Sequence, residues 1–165
     1  MRIFLAALSL CVACCFSAKA ENPESAESPE VSCGGAHFQV IHIRYGFAHN
    51  HYYVLGAVAG ATQKKLLYSY YGGYFNAGCI TGGRGRPRIL LHTDCGGSGC
   101  IYQHGIIDPK NLRFLRRPSE DDLHDHYDAA GAVLKMKPED VPTFDSSMAG
   151  AVPSFCCKLK PDGEY

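Results

Sequence analysis

The eight histidines are the residues of this 165-residue chain best suited to chemistry at neutral pH, because imidazole titrates there and both gives and takes protons. His37, His42, His49 and His51 cluster in one short segment, and His92 and His104 flank the stretch from Cys95 to Cys100. His42 with His92 or His104, assisted by Arg88 or Lys110, is a candidate acid–base pair for a secreted ribonuclease. Such an enzyme needs two imidazoles across a phosphate and a cation for the added charge. No carboxylate stands at a spacing that would orient either ring, so a surface or core role competes with the catalytic one. Other enzyme classes fare worse. The chain has no Gly-x-Ser-x-Gly elbow and no His-Glu-x-x-His helix.

Two further stretches have the composition of contact sites. Gly82-Gly83-Arg84-Gly85-Arg86-Pro87-Arg88 has the glycines and cations of a phosphate loop without the Gly-Lys-Ser/Thr ending. Arg84, Arg86 and Arg88 are therefore a candidate contact loop for an anionic surface or glycan, with a solvated turn as the plainer reading. Tyr68, Tyr70, Tyr71 and Tyr74 surround Gly72-Gly73, an arrangement that suits either an aromatic contact patch or a strand core. Cys95-x4-Cys100 with His124-x-His126 has the wrong spacing for a zinc finger, and no metal or cofactor is expected.

The elements that must position these residues belong to an exported chain. Met1-Arg2 is followed by an apolar run from Ile3 to Phe16 and by Ser17-Ala18-Lys19-Ala20, a small-x-small ending. Residues 1–20 read as a signal peptide cleaved between Ala20 and Glu21, the run being too short for a membrane anchor. Localisation is then secreted and extracellular, with no stable membrane insertion.

Cleavage removes three of the nine cysteines and leaves Cys33, Cys79, Cys95, Cys100, Cys156 and Cys157, an even set that reads as disulfides in an oxidising compartment. The glycine-rich loop lets Cys95 meet Cys100, and Cys33 and Cys79 are then expected to reach the adjacent Cys156 and Cys157. Charge is uneven along the chain. Arg44–Arg117 is basic, and the residues from Glu120 onward are acidic. Self-neutralisation is the first reading of that asymmetry.

Residues 21–32 are Glu-, Pro- and Ser-rich and read as a disordered linker or pro-segment, and 33–165 as a single disulfide-stabilised domain. Strands are predicted at Ala36–Tyr45, Leu66–Tyr71, Arg88–Thr93 and Ser154–Leu159. A helix is predicted from Asn50 to Thr62 on the spacing of Leu55, Val58, Ala59 and Thr62. A second begins at Ser119, with a capping box to Asp122 and a stripe of Leu123, Tyr127, Ala130 and Leu134. The order βαββαβ predicts a compact α+β fold: an antiparallel sheet with two helices in a split βαβ.

The signal, the short polar stretch, six mature cysteines and this element order resemble small secreted cysteine-rich proteins of fungi, including killer-toxin-like effectors. The resemblance implies a binding protein that acts outside its producer on a host or competitor target. With export, disulfides and no recognisable catalytic constellation, the chain is expected to be a non-enzymatic, monomeric effector or toxin-like binder of a host or extracellular protein, with uptake into host cells as a further expectation. A histidine-pair ribonuclease and an extracellular carbohydrate-binding module are the alternatives.

Overall fold

The computed structural model describes residues 23–45, 49–94, 102–118 and 126–142. Nine strands and one α-helix lie in these segments: β1 (Glu24–Glu27), β2 (Val31–Cys33), β3 (Ala36–Tyr45), β4 (His49–Val58), β5 (Lys65–Tyr71), β6 (Tyr74–Gly82), β7 (Arg86–Asp94), β8 (Gln103–Asp108), β9 (Arg113–Arg116) and α1 (His126–Leu134). They form two antiparallel sheets. The first has the order β1-β3-β4-β5, with β2 also paired to β3, and the second runs β6-β7-β8-β9. The expected two-helix α+β fold is thus replaced by a mostly-β one.

Side-chain alternation explains the layers. Phe38 and Val40 of β3 and Tyr52 and Val54 of β4 point inward from the first sheet. They pack against Phe75, Ala77, Ile89, Leu91 and Ile107 of the second. The alternate positions of the second sheet, Ile80, Leu90 and Ile106, face the other way and meet Ala130, Leu134 and Val141. The chain therefore stacks sheet, sheet and helix, and the second sheet is apolar on both faces.

The main departure from expectation is β4. The helix predicted from Asn50 to Thr62 falls largely on this strand, which pairs with β3 over its full length, from Ala36↔Val58 to Tyr45↔His49. Leu55 and Val58 satisfy a helical spacing, but Tyr52-Tyr53-Val54 are aromatic and β-branched, types that favour extended chain. Both faces of β4 carry apolar groups, so the period of two is blurred. Gly56 also costs a helix stability, whereas here a Cβ at that position would come within 2.6 Å of Leu67 Cδ1.

The acidic stretch read as a linker carries β1 and β2, which line one edge of β3 in succession. Ser28 bridges the break between them. Its N–H donates to the Val40 carbonyl (2.8 Å), and its Oγ accepts from the Val40 N–H (2.9 Å). An interrupted, charged edge strand of this kind discourages pairing with other chains.

Cys33 and Cys79 are joined to each other, which corrects the expectation that each would reach the C-terminal doublet. Sequence spacing cannot reveal this bridge, because it depends on β2 lying beside β6 across the layer gap. Cys95, Cys100, Cys156 and Cys157 lie outside the described residues, as do the signal segment, the capping box at Ser119 and the strand expected at Ser154–Leu159. Among the described residues no helix is long and apolar enough to cross a membrane.

Two stability effects follow. The bridge closes a loop between residues 46 apart, so Cys33→Ala/Cys79→Ala is expected to lose about 4 kcal/mol of unfolding free energy, measured by urea denaturation. At Gly83 an added Cβ would lie 2.0 Å from the Lys135 carbonyl oxygen at the end of α1. Gly83→Ala is expected to cost roughly 1–3 kcal/mol through overpacking, visible as a lowered urea midpoint.

Candidate functional site

The face of the second sheet that α1 covers is apolar at one end and polar at the other. Residues directly opposite in an antiparallel ladder share a face, so strand register builds the polar end row by row. Asn76 pairs with His92, and His92 with His104, giving one row across three strands. Tyr74 pairs with Asp94, and Tyr102 directly precedes β8 beside it, giving a second row. The third row along, Gly78–Leu90–Ile106, is hydrocarbon under the helix until it reaches β9, where Arg116 stands opposite Ile106.

The imidazoles of His92 and His104 stack, with centroids 5.0 Å apart and planes 16° from parallel. Tyr102 meets His92 edge-on at 4.7 Å. Tyr127, from the first turn of α1, closes over His104 at 4.8 Å. His104 is completely buried, whereas Tyr74 and Tyr102 remain 40% and 45% exposed. Between them opens a pocket of about 350 Å³ lined by Tyr74, Asn76, His92, Thr93, Asp94 and Tyr102.

The pocket wall is rich in acceptors and poor in positive charge. Asp94 is the one carboxylate among the lining residues, and none of them is a lysine or arginine. Asn76 Oδ1 is buried, and no described residue hydrogen-bonds it. A buried acceptor without a donor costs stability, and a ligand donor can recover that cost. Tyrosine at the rim supplies an apolar ring for packing and a hydroxyl for hydrogen bonding.

The other residues singled out from sequence lie elsewhere. His42 stacks on Tyr52 at 4.6 Å, and its Nε2 is 2.9 Å from Asn50 Oδ1. Tyr52 belongs to the inter-sheet core, so the second sheet separates His42 from His92 and His104. The expected pairing of His42 with either is not formed. His51 sits among Tyr45, Tyr53 and Tyr71 on the outward face of the first sheet, and His37 Nδ1 is 3.0 Å from Ser32 Oγ. Arg88 Nη1 lies 3.7 Å from Asp108 Oδ1, and the Lys110 backbone N–H donates to that same oxygen.

Arg84, Arg86 and Arg88 do not join the pocket. The Gly83–Gly85 turn is the β6–β7 hairpin loop, and Arg84 takes a left-handed backbone there (φ 65°). Gly82 and Gly83 pack on the Leu134 and Lys135 carbonyls, so half of this loop is a seat for the end of α1. Arg84 and Arg86 are exposed, at the far end of the β6–β7 ladder from Tyr74 and Asp94, roughly 27 Å away by strand rise.

The tyrosine patch divides three ways. Tyr68 and Tyr70 pack on Phe75 inside the sandwich, Tyr71 is exposed on the outward face of the first sheet, and Tyr74 reaches the pocket. Asn76, Asp94 and Tyr102 escaped the sequence reading altogether. The signal that could have found them is the alternation Tyr74-x-Asn76, His92-x-Asp94 and Tyr102-x-His104 on successive strands.

Sheet, sheet and helix in this order define an antiparallel β-sandwich with a helix-backed outer layer and a pocket at one end of that layer. Comparison with protein families, with curated proteins and with solved structures finds no match for this chain.

Burial first, and the neighbouring Tyr102 second, raise the Tyr127 phenol above its ordinary range. Burial does the same to Tyr68, opposed by Arg117. A raised tyrosine stabilises the fold fully below its unfolded value of about pH 10, and that contribution fades as pH rises through the folded value. The loss of unfolding free energy between pH 9 and 11, measured by urea titration, is therefore expected to be smaller in Tyr127→Phe than in the parent chain.

Proposed function

We propose that this chain is an exported, non-enzymatic binding protein that acts outside the producing cell as a host-directed effector or toxin-like binder, and that the Tyr74–Tyr102 pocket is its ligand site. The apolar leader at residues 1–20 and the Cys33–Cys79 bridge support export. The observation that carries the binding reading is the state of the two histidines on one row. His104 is fully buried beneath Tyr127 and stacked flat on His92, and of the two only His92 lines the pocket.

An acid–base pair must instead reach a substrate from two sides. A phosphate-cleaving site also needs positive charge at the reacting centre. The lining residues supply a carboxylate, which repels phosphate. The same facts weigh against the ribonuclease reading.

The test uses the secreted, disulfide-bonded chain. Backbone amide NMR shifts are followed with three probes: chitotriose, tetramethylammonium chloride and inorganic phosphate. A single-stranded RNA oligonucleotide is incubated in parallel. The expected result is saturable movement of the amides of residues 74–76, 92–94 and 102–104 with at least one probe, and intact RNA. Silence at the pocket with every probe would overturn the proposal. So would RNA cleavage that disappears in His92→Ala.

A further inference from the structure

Resting on that reading of the pocket, we infer that its ligand is a neutral saccharide. One sugar ring enters between Tyr74 and Tyr102, and its hydroxyls donate to Asp94 and Asn76. Asp94 stands on the central strand with a tyrosine on the strand to either side. Two strand spacings place the tyrosine backbones about 10 Å apart, enough for one pyranose ring with an aromatic side chain against it. Each tyrosine is about half exposed, so its ring can cover the C–H face of a sugar while the hydroxyl stays hydrogen-bonded.

The acceptors lie on two successive rows. Asp94 is in the outer row. Asn76, with its buried and unsatisfied Oδ1, is in the inner row two residues on, about 7 Å along the strand toward the helix-covered end. A carboxylate accepts about four hydrogen bonds, so Asp94 takes ligand hydroxyls in addition to other contacts. Donors spread over that distance are what a polyhydroxylated ring carries.

The competing ligand classes fit less well. An anion meets the Asp94 carboxylate, and none of the described lining residues is a lysine or arginine. A quaternary ammonium satisfies the carboxylate and the rings, yet it has no N–H or O–H to offer Asn76. A primary amine donates at one point and leaves the second row unmatched. The volume of about 350 Å³ lies at the small end of ligand pockets, which suits one or two sugar units and not a longer groove-bound chain. The exposed Arg84 and Arg86 at the opposite end of the sheet take no part.

The experiment repeats the amide mapping with chitotriose, laminaritriose and mannotriose, beside tetramethylammonium and phosphate. At least one trisaccharide is expected to move the amides around Tyr74, Asn76, Asp94 and Tyr102. Tyr74→Ala and Tyr102→Ala are each expected to weaken it about tenfold, the loss of one aromatic contact. Tyr71→Ala, on the other sheet, should leave it unchanged. If tetramethylammonium or phosphate alone fills the pocket, the saccharide inference is overturned and the binding reading stands. If none of the five probes reaches the pocket, both fall. Trisaccharide shifts confined to the outward face around His51 and Tyr53 would also overturn the inference.

Discussion

Burial of the second sheet on both faces is the constraint on which the rest of the molecule depends. Leu90 and Leu91 are neighbours in sequence and both fully buried, as are Ile106 and Ile107. Adjacent residues of a strand point to opposite faces, so these pairs demand cover on both sides. The first sheet covers one side and α1 the other. A nine-residue helix is shorter than the nine-residue β6 and β7 ladders, because it rises less than half as far per residue. It cannot cover the whole face. Past Tyr127 the described helix ends, and there the sheet switches from Leu and Ile to Asn, His, Asp and Tyr. Among the described residues, the pocket opens beside that end of the helix.

That arrangement also sets the arginines of the β6–β7 hairpin apart from the concavity, whereas Arg116, opposite Ile106, stands on the pocket's own sheet face. The basic middle of the sequence places Arg84 and Arg86 at one end of the β6–β7 hairpin and Arg88 beside Asp108. The pocket at the other end holds a carboxylate.

How much was legible depends on whether the signal was local. Ala36–Tyr45 reads directly as a strand and is β3 to the residue, since it is rich in β-branched and aromatic side chains. The stripe Tyr127, Ala130 and Leu134 marks the buried side of α1 and places Tyr127 on His104. β4 misled because an apolar residue on each face satisfies both a period of two and a helical spacing. β1 and β2 were hidden by composition, since Glu24 and Glu27 do not look like a buried sheet. They need not, because an edge strand held by backbone bonds and one serine can be exposed. The histidines were visible as chemistry, but their partners were not. Asn76, Asp94 and Tyr102 become a site only once three strands are in register, and register is a property of pairing that no single segment encodes.

The two sheets differ from most sandwiches in how locally they are wired. β3, β4 and β5 are successive hairpins, and so are β6, β7, β8 and β9; no strand of one sheet is inserted between strands of the other. Each sheet can therefore assemble from contacts close in sequence, the situation associated with fast folding for a β protein. The bond between Cys33 and Cys79 is the exception, for it spans the first sheet and reaches only the first strand of the second. During synthesis the first sheet would be complete before its partner thiol emerged. Oxidation would then record the docking of the second sheet instead of guiding it, acting as a latch on an assembly that local order has already chosen.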